Sequence, residues 1–399
     1  MMPQLGHLGI LPVVLDQNQM IPVQMRDLSV HHLQAVRETA DHLLEVASSQ
    51  VVARASVVHL RVAVEGQVVV ANNIWGHYDL LLADLDGVIY EGQHAITGAV
   101  PSITELQARG ISVGYVTNNS SRKPETIAEQ LAGYGVHAIG DEVISSGLTA
   151  VELLATKIPA GSNVLVVGGE GLRTFVADAG FTVVDLSDEK PAAVVQGFAP
   201  DVSWRNLAEA SYAIANGAIW IATNNDWTLP QEKGVAPGNG TLVSAVHTAV
   251  GQFPEIAGKP EPAIYYTALK RFNKAAALFV GDRLETDILG ANRAGVDSAV
   301  VLTGIASRKD VLAAQIDERP KFILETLSDL LTDYVLPVQT KRGWRCGEVS
   351  VELLGDKVMV VEGNPYSIEA LRAAAKVIWE SGKHIHFLDV QSALYETKA

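Results

Sequence analysis

The sequence of 399 residues contains a single cysteine, Cys346. One thiol cannot close an intrachain disulfide, which fits a reducing compartment and makes the cytoplasm the expected location. A catalytic thiol is the less favoured alternative, because Cys346 lies near the C-terminus in the turn-like stretch Gly343-Trp344-Arg345-Cys346-Gly347. Positive charge is also scarce: 30 Lys and Arg against 45 Asp and Glu leave a formal net charge of -15. That excludes a surface built for non-specific nucleic-acid binding, and an anionic ligand would need positive charge concentrated at its site. No apolar run reaches the roughly 20 residues needed to span a bilayer. No basic residue precedes Arg26, so the apolar patch Leu8–Leu15 does not read as a signal peptide. Internal repeats and low-complexity tracts are missing as well. What remains is 48% hydrophobic, which at this length predicts a globular chain of two or three domains.

Along the chain, residues 1–75 form an extension of uncertain structure. His32–Ala47 reads as an amphipathic helix and the valine-rich stretch Val51–Val70 as strands. Either this segment packs on the core as an accessory, or translation starts downstream at a non-Met codon, since no Met lies between Met25 and Met359. From Tyr78 onward strands and helices alternate, and this βαβ rhythm predicts an α/β fold with a parallel sheet covered by helices. The pattern predicts a first core part over 76–150, an inserted α/β domain over 151–250, a second core part over 251–335 and a small α+β module over 340–399. In the insert, Gly168-Gly169-Glu170-Gly171 suggests a dinucleotide fingerprint, but Thr174 stands where a third glycine or alanine is needed, leaving a tight strand-to-helix turn. In the last module, Glu348–Leu354 and Lys357–Glu362 predict a hairpin around Gly355-Asp356, Ile368–Glu380 a helix and His384–Val390 a final strand.

Four short motifs carry the chemistry. The apolar run Leu80–Ala83 ends in Asp84-Leu85-Asp86-Gly87. Strand ends in open α/β sheets are where ligands bind, and two close carboxylates invite a hard cation with oxygen ligands. Taken alone, the same residues could form a turn after a buried strand. Thr117-Asn118-Asn119-Ser120 follows the predicted strand Ile111–Val116, and a hydroxyl with successive N–H groups can hold phosphate oxygens. Gly258-Lys259-Pro260 offers a compact point charge at a helix start. Gly281-Asp282-Arg283-Leu284-Glu285-Thr286-Asp287 follows another apolar strand; Asp282 can ligate a cation and Asp287 faces back from the next helix. Each motif has an ordinary structural explanation. Their order, and the strand ends that three of them occupy, point to one shared site.

Together these motifs resemble those of the haloacid dehalogenase (HAD) superfamily over residues 78–307, and the second acid, Asp86, resembles its phosphatase branch. The insert falls between Thr117 and Lys259, the position of a type-2 cap. Ala222-Thr223-Asn224-Asn225-Asp226 and Pro237–Leu242 are similar to the NagD-like (class IIA) members, with Asn225 a minor departure. With its short C-terminal module, which resembles an acetyltransferase (GNAT-like) unit only loosely, the chain looks like the actinobacterial glycerol 3-phosphate phosphatases. An acetyl-CoA pyrophosphate loop is not recognisable there, so a structural or oligomerising role is expected.

The resemblance implies a Rossmann-like HAD core and an Mg²⁺-dependent phosphomonoester hydrolase, acting on a small phosphorylated metabolite. Asp84 is then the nucleophile and Asp86 the general acid and base. Mg²⁺ is held by Asp84, Asp86 through its backbone carbonyl, and Asp282. Asp287 orients a metal-bound water or Lys259. Thr117, Asn118, Asn119 and Lys259 hold the phosphoryl oxygens, while Asn224 and Asp226 either touch the leaving group or build the cap. Glycerol 3-phosphate is the expected substrate, in glycerophospholipid turnover. The alternatives are a sugar phosphate, a nucleoside monophosphate, pyridoxal phosphate or an aryl phosphate, and more remotely a non-catalytic metabolite-binding regulator or an acyltransferase. A homodimer is the base-rate expectation for assembly.

Overall fold

The computed structural model describes residues 12–15, 19–22, 63–64, 67–68, 71–231 and 233–396. It divides into two units, residues 1–62 and 63–399. In the first, Pro12–Leu15 and Gln19–Pro22 pair as an antiparallel hairpin; the expected helix His32–Ala47 lies outside the described residues. In the second, the described part of the expected valine-rich strands is the short antiparallel pair Ala63–Val64 and Gln67–Val68; the remainder of Val51–Val70 lies outside the described residues.

The expected extension does not run to residue 75. Ala71–Asn72 pairs antiparallel with Tyr334–Val335, Ile74 is buried in the core, and the Trp75 Nε1–H donates to the Leu330 carbonyl at 2.7 Å. Residues 71–75 therefore belong to the body that follows.

That body is built on a six-stranded parallel sheet. In chain order its strands are Leu80–Ala83, Ser112–Thr117, Val143–Ser145, Ala277–Gly281, Asp297–Val301 and Phe322–Leu324; in space they run 3-2-1-4-5-6. Leu80, Leu81 and Leu82 are all fully buried, as expected for a strand with both faces covered. At about 2 kcal/mol for each buried leucine, this strand anchors the core. The topological switch falls between its first and fourth strands, where loops diverge to opposite faces and leave a crevice.

A second parallel sheet lies within the insert. Its strands Asn163–Val167, Thr182–Val184, Ala193–Gln196, Ile219–Ala222 and Glu255–Ile256 run 2-1-3-4-5. Two features correct the expected boundaries. The helix Ser146–Ala155 packs its Ala150, Val151 and Leu154 into the core of the second sheet, so residue 151 falls inside a continuous helix. Residues 255 and 256, expected in the second part of the first domain, form the fifth strand of the insert.

The C-terminal module is a five-stranded sheet, Val338–Gln339, Gly343–Cys346, Val349–Leu354, Lys357–Glu362 and Asp389–Val390, covered by the helix Ile368–Glu380. Ser367 caps that helix by accepting from Ala370 N–H. Only Asp389 and Val390 of the expected last strand pair in the sheet; Ile385–Phe387 forms a 3-10 turn instead. Cys346 is in a strand rather than a turn, fully buried, and burial pushes its thiol up to about 12, which makes it a poor nucleophile. The module has no separate core. Val351, Leu371 and Ile378 share one apolar cluster with Ile288, Val300 and Val311 of the first sheet's side.

Among the described residues no helix is long and apolar enough to cross a membrane.

Candidate active site

Asp84 is the first residue beyond strand Leu80–Ala83, and Asp282 the first beyond strand Ala277–Gly281. These two strands are neighbours across the switch point, so their carboxylates meet in the crevice. Asp287 joins them: carboxylate oxygens of Asp84, Asp282 and Asp287 lie within 4.8 Å of one another, all three residues buried. Asp287 arrives through a local irregularity. The helix expected to follow Asp282 opens as a π-helical turn, Leu284–Ile288, before the α-helical turn Leu289–Arg293, a widening that recurs at functional sites.

Lys259 supplies the missing positive charge. Its Nζ is 2.5 Å from Asp84 Oδ1 and 2.7 Å from Asp287 Oδ1. The three groups are almost fully buried, and removing one partner from such a cluster is far costlier than removing a surface ion pair. Burial pushes Asp84 well above the usual carboxylate range, although Lys259 pulls the other way. Burial and the nearby Asp287 push Asp282 up to about 7. Lys259 is raised above its ordinary value, because Asp287 and Asp84 outweigh the cost of burying its charge.

The oxygens divide the work among the carboxylates. Asp287 Oδ2 accepts from the N–H groups of Asp282 and Arg283, both at 3.1 Å, while its Oδ1 faces Lys259. Asp282 Oδ2 accepts from Ile305 N–H at 2.8 Å, but its Oδ1 is buried without a hydrogen-bond partner. A buried acceptor left empty costs free energy unless something fills it. A hard cation shared with Asp84 fits this donor set, and Asp287, with both oxygens committed, is left to orient Lys259 and the Asp282 loop. Gly87 closes the crevice over Asp282. Its φ is +78°, and a Cβ there would overlap the Asp282 carboxylate.

Asp86 is exposed at the mouth of the crevice. The protein around it raises its carboxyl above the usual range, against the pull of Arg122, Lys259 and a hydrogen bond with Tyr90. Tyr90 and Arg122 were not apparent from the sequence motifs. Arg122 follows the Thr117–Ser120 loop and is held by Gln130 at 2.5 Å, and Tyr90 hydrogen-bonds with it.

The Thr117–Arg122 loop departs in part from expectation. Thr117 Oγ1 accepts from Asn119 N–H at 3.1 Å, which leaves its own O–H to donate. Asn118 does not present its amide to a ligand. Its Oδ1 accepts from Lys259 N–H at 2.8 Å, and its Nδ2 donates to Lys259 O and to Asp226 Oδ1, both at 3.1 Å. Asn119 likewise turns inward, its Oδ1 accepting from Ser121 N–H, Ser121 Oγ and Arg122 N–H. Both side chains build the loop, and Asn118 also positions Lys259.

Asn224 and Asp226 lie just beyond strand Ile219–Ala222 of the insert. Asn224 Nδ2 donates to Asn118 O at 2.7 Å, and its carbonyl accepts from the buried Asn239 at 2.8 Å. This makes Asn224 part of the cap's framework. Thr223 Oγ1 bonds Ser120 Oγ at 3.0 Å. Gly171, at the start of helix Glu170–Asp178, comes so close that a Cβ there would stand 2.5 Å from Ser121 O. The loop of the first sheet is thus clasped by two strand ends of the second.

Residues 81–182 match the family model described as haloacid dehalogenase-like hydrolase, and residues 256–330 the one described as HAD-hydrolase-like. The chain is 42% identical over 309 residues to D-glycerol 3-phosphate phosphatase of Mycobacterium tuberculosis, covering 76% of this chain and 86% of that protein. It is 38% identical over 236 residues to the acid sugar phosphatase of Staphylococcus aureus, covering 59% of this chain and 90% of that protein. The crystal structure of the Mycobacterium tuberculosis glycerol phosphate phosphatase in complex with magnesium superposes with a TM-score of 0.72 at 38% identity, over 80% of this chain and 95% of that one.

Proposed function

The chain belongs to the haloacid dehalogenase-like hydrolases, and on that premise we propose that it is an Mg²⁺-dependent phosphomonoester hydrolase whose preferred substrate is glycerol 3-phosphate. The observation that carries this reading is the buried Asp84 carboxylate at the switch point, 2.5 Å from Lys259 and beside Asp282. The Mycobacterium relative supports the substrate, and its magnesium complex supports the ion.

In this reading Asp84 attacks phosphorus in line. The bond to the leaving alcohol breaks as Asp86 gives that oxygen its proton, and an aspartyl-phosphate forms on Asp84. Asp86, now ionised, takes a proton from water; the water attacks phosphorus, the Asp84 ester breaks and phosphate leaves. A carboxyl raised by its surroundings, as Asp86 is, suits a group that must hold a proton before giving it up. Mg²⁺, held by Asp84, Asp282 and the Asp86 carbonyl, would offset the negative charge of the phosphoryl group among these acids. Lys259 and the Thr117 hydroxyl hold phosphoryl oxygens, together with the Asn118 backbone N–H. Asn118 sets Lys259, and Asp287 holds it from the other side. Asp226, at the end of the cap strand, is the residue we assign to the leaving group's side of the site.

We assign residues 71–145 and 257–335 to the catalytic domain, the helix Ser146–Ala155 to the junction, 156–256 to the cap and 338–396 to a module that braces the catalytic sheet. The cytoplasm is the compartment we expect, from the lone buried thiol, and a two-fold homodimer the assembly. The acid sugar phosphatase relative, matched over 90% of its length, makes a sugar phosphate the second reading for the substrate.

The test is phosphate release from a panel of phosphomonoesters with Mg²⁺, each repeated with EDTA. Metal-dependent release highest on glycerol 3-phosphate is expected. A higher kcat/KM on a sugar phosphate moves the substrate while keeping the mechanism. No metal-dependent release from any ester overturns the reading.

A further inference from the structure

Away from the catalytic crevice, a half-enclosed cleft of about 270 Å³ opens at the seam between the outer strand Phe322–Leu324 and the C-terminal module. Its ionisable side chains with formal charge are Lys321, Arg372 and Lys376, and no carboxylate lines it. Such a concentration of positive charge is unusual in a chain of net charge -15. Each cation has an acidic partner that does not line the cleft: Asp297 at 2.7 Å from Lys321, Asp329 at 3.6 Å from Arg372 and Glu380 at 3.5 Å from Lys376. Each ammonium carries three N–H groups, and one carboxylate does not exhaust them.

The rest of the lining is apolar, three aromatic rings among the aliphatic Pro320, Ile323, Leu336 and Pro337. Trp344 and Trp379 come from the module and Tyr334 from the segment leading to it. The Lys376 ammonium stands 5.7 Å from the Trp344 ring centre. The floor is structural. Arg372 stacks 3.9 Å from the Tyr334 ring centre, its Nε–H donates to Ile323 O at 2.9 Å, and Ile323 N–H donates to Tyr334 Oη at 3.0 Å. Arg372 and Tyr334 therefore fix the cleft's shape, while Lys321 and Lys376 stand half-exposed at its rim, the Lys321 ammonium also 5.6 Å from the Tyr78 and Phe322 ring centres.

We infer that this seam is a second ligand site, separate from the catalytic one, for a small anion carried on a flat unsaturated ring. Two tryptophans receive the ring, and two lysines meet its charged group through charge-assisted hydrogen bonds. The volume of about 270 Å³ lies just below the usual range for ligand pockets, which selects a single small ring system over a long chain. The inference stands independently of the phosphatase assignment, because none of these residues belongs to the catalytic crevice.

Two probes separate the sources of such an anion: 4-hydroxybenzoate for a carboxylate and AMP for a phosphate ester. Binding to the full-length protein is followed by tryptophan fluorescence and by calorimetry, with EDTA present so that no ester is turned over. Saturable binding of at least one probe with Kd near or below about 1 mM is expected. The double variant Lys321→Gln/Lys376→Gln should weaken it by about tenfold or more, as loss of charge-assisted bonds implies. Trp344→Leu should weaken it independently, and all three proteins should hydrolyse glycerol 3-phosphate alike. Binding of only one probe identifies the anionic group. The absence of saturable binding of either probe to the wild-type protein, or equal affinity in wild type and double variant, would overturn the inference.

Discussion

The chain carries two parallel α/β sheets, and only one of them holds the reactive groups. In the six-stranded sheet the switch point gathers Asp84, Asp282, Asp287 and Lys259, charged groups with little water around them. In the five-stranded sheet the order 2-1-3-4-5 also creates a switch point, between Asn163–Val167 and Ala193–Gln196. There the crevice is occupied by protein. Ser121 of the first sheet's loop faces Gly171, and Ser120 Oγ comes within 2.8 Å of where a Cβ on Gly197 would lie. Sheet topology supplies a binding crevice in both cases; the residues at the strand ends decide whether a ligand or a neighbouring loop fills it.

The comparison is broken most severely by Asp84→Asn. It keeps the shape of the side chain but removes the nucleophile, and turnover should fall by about 10³-fold or more with the circular dichroism spectrum unchanged. Near-normal phosphate release would mean the first crevice is not where chemistry occurs. Lys259→Met should follow. It leaves Asp84 and Asp287 facing each other without a counter-charge, so the metal-free protein should lose about 3–5 kcal/mol in denaturant melts. An unchanged midpoint would show the buried cluster to be less tightly bound together than its distances indicate.

The second crevice is probed by Gly171→Val. With Ser121 O 2.5 Å from the new Cβ, the loop must shift. A stability loss of about 1–3 kcal/mol is expected, with a fall in kcat because the same loop carries Thr117 and Asn118. Gly133→Ala serves as control, since nothing lies within 4 Å of its added Cβ and helix propensity favours it by up to about 1 kcal/mol. Equal behaviour of the two variants would remove the argument for a clasped loop.

The smallest effect is a pH dependence of metal stabilisation. Asp282 is raised to about 7 in the metal-free fold, above its unfolded value. Between the two values the folded state binds more protons, so metal-free stability falls as pH rises towards 7. A cation must displace that proton, and its binding tightens over the same interval. A given Mg²⁺ concentration should therefore raise Tm more at pH 8 than at pH 5.5. A shift that is equal at both values, or larger at pH 5.5, contradicts the assignment of Asp282 as a ligand.

That Asp84 and Asp282 stand at strand ends was legible in the sequence because the signals are local. An apolar run followed by Asp84-Leu85-Asp86-Gly87 marks a strand end without reference to the rest of the chain, as does Gly281-Asp282, and the helix Ile368–Glu380 is readable from its own stretch of sequence. The residues that escaped or were misjudged depend on distant partners. Asn118 looks free to bind phosphate until Lys259 and Asp226, 141 and 108 positions away, take up its amide. Arg122 and Tyr90 belong to no motif and meet only through the fold. Glu255–Ile256 is too short to show strand periodicity, and most of His384–Val390 is apolar without pairing in the sheet. Asp287 was placed correctly on the next helix, but the π-helical turn that aims it leaves no sequence signal.

The contact of Arg372 and Tyr334 with Ile323 has a consequence for the chain as it is made. Strand Phe322–Leu324 ends the six-stranded sheet, and an uncovered outer strand is a template for pairing with another molecule. The two groups that close its Ile323 N–H and C=O come from residues 334 and 372. A ribosome-bound chain that has completed every catalytic residue still carries an adhesive border, and does so until its last module emerges. Nascent and prematurely terminated chains should then be more prone to self-association than the finished protein, although both contain the whole active site.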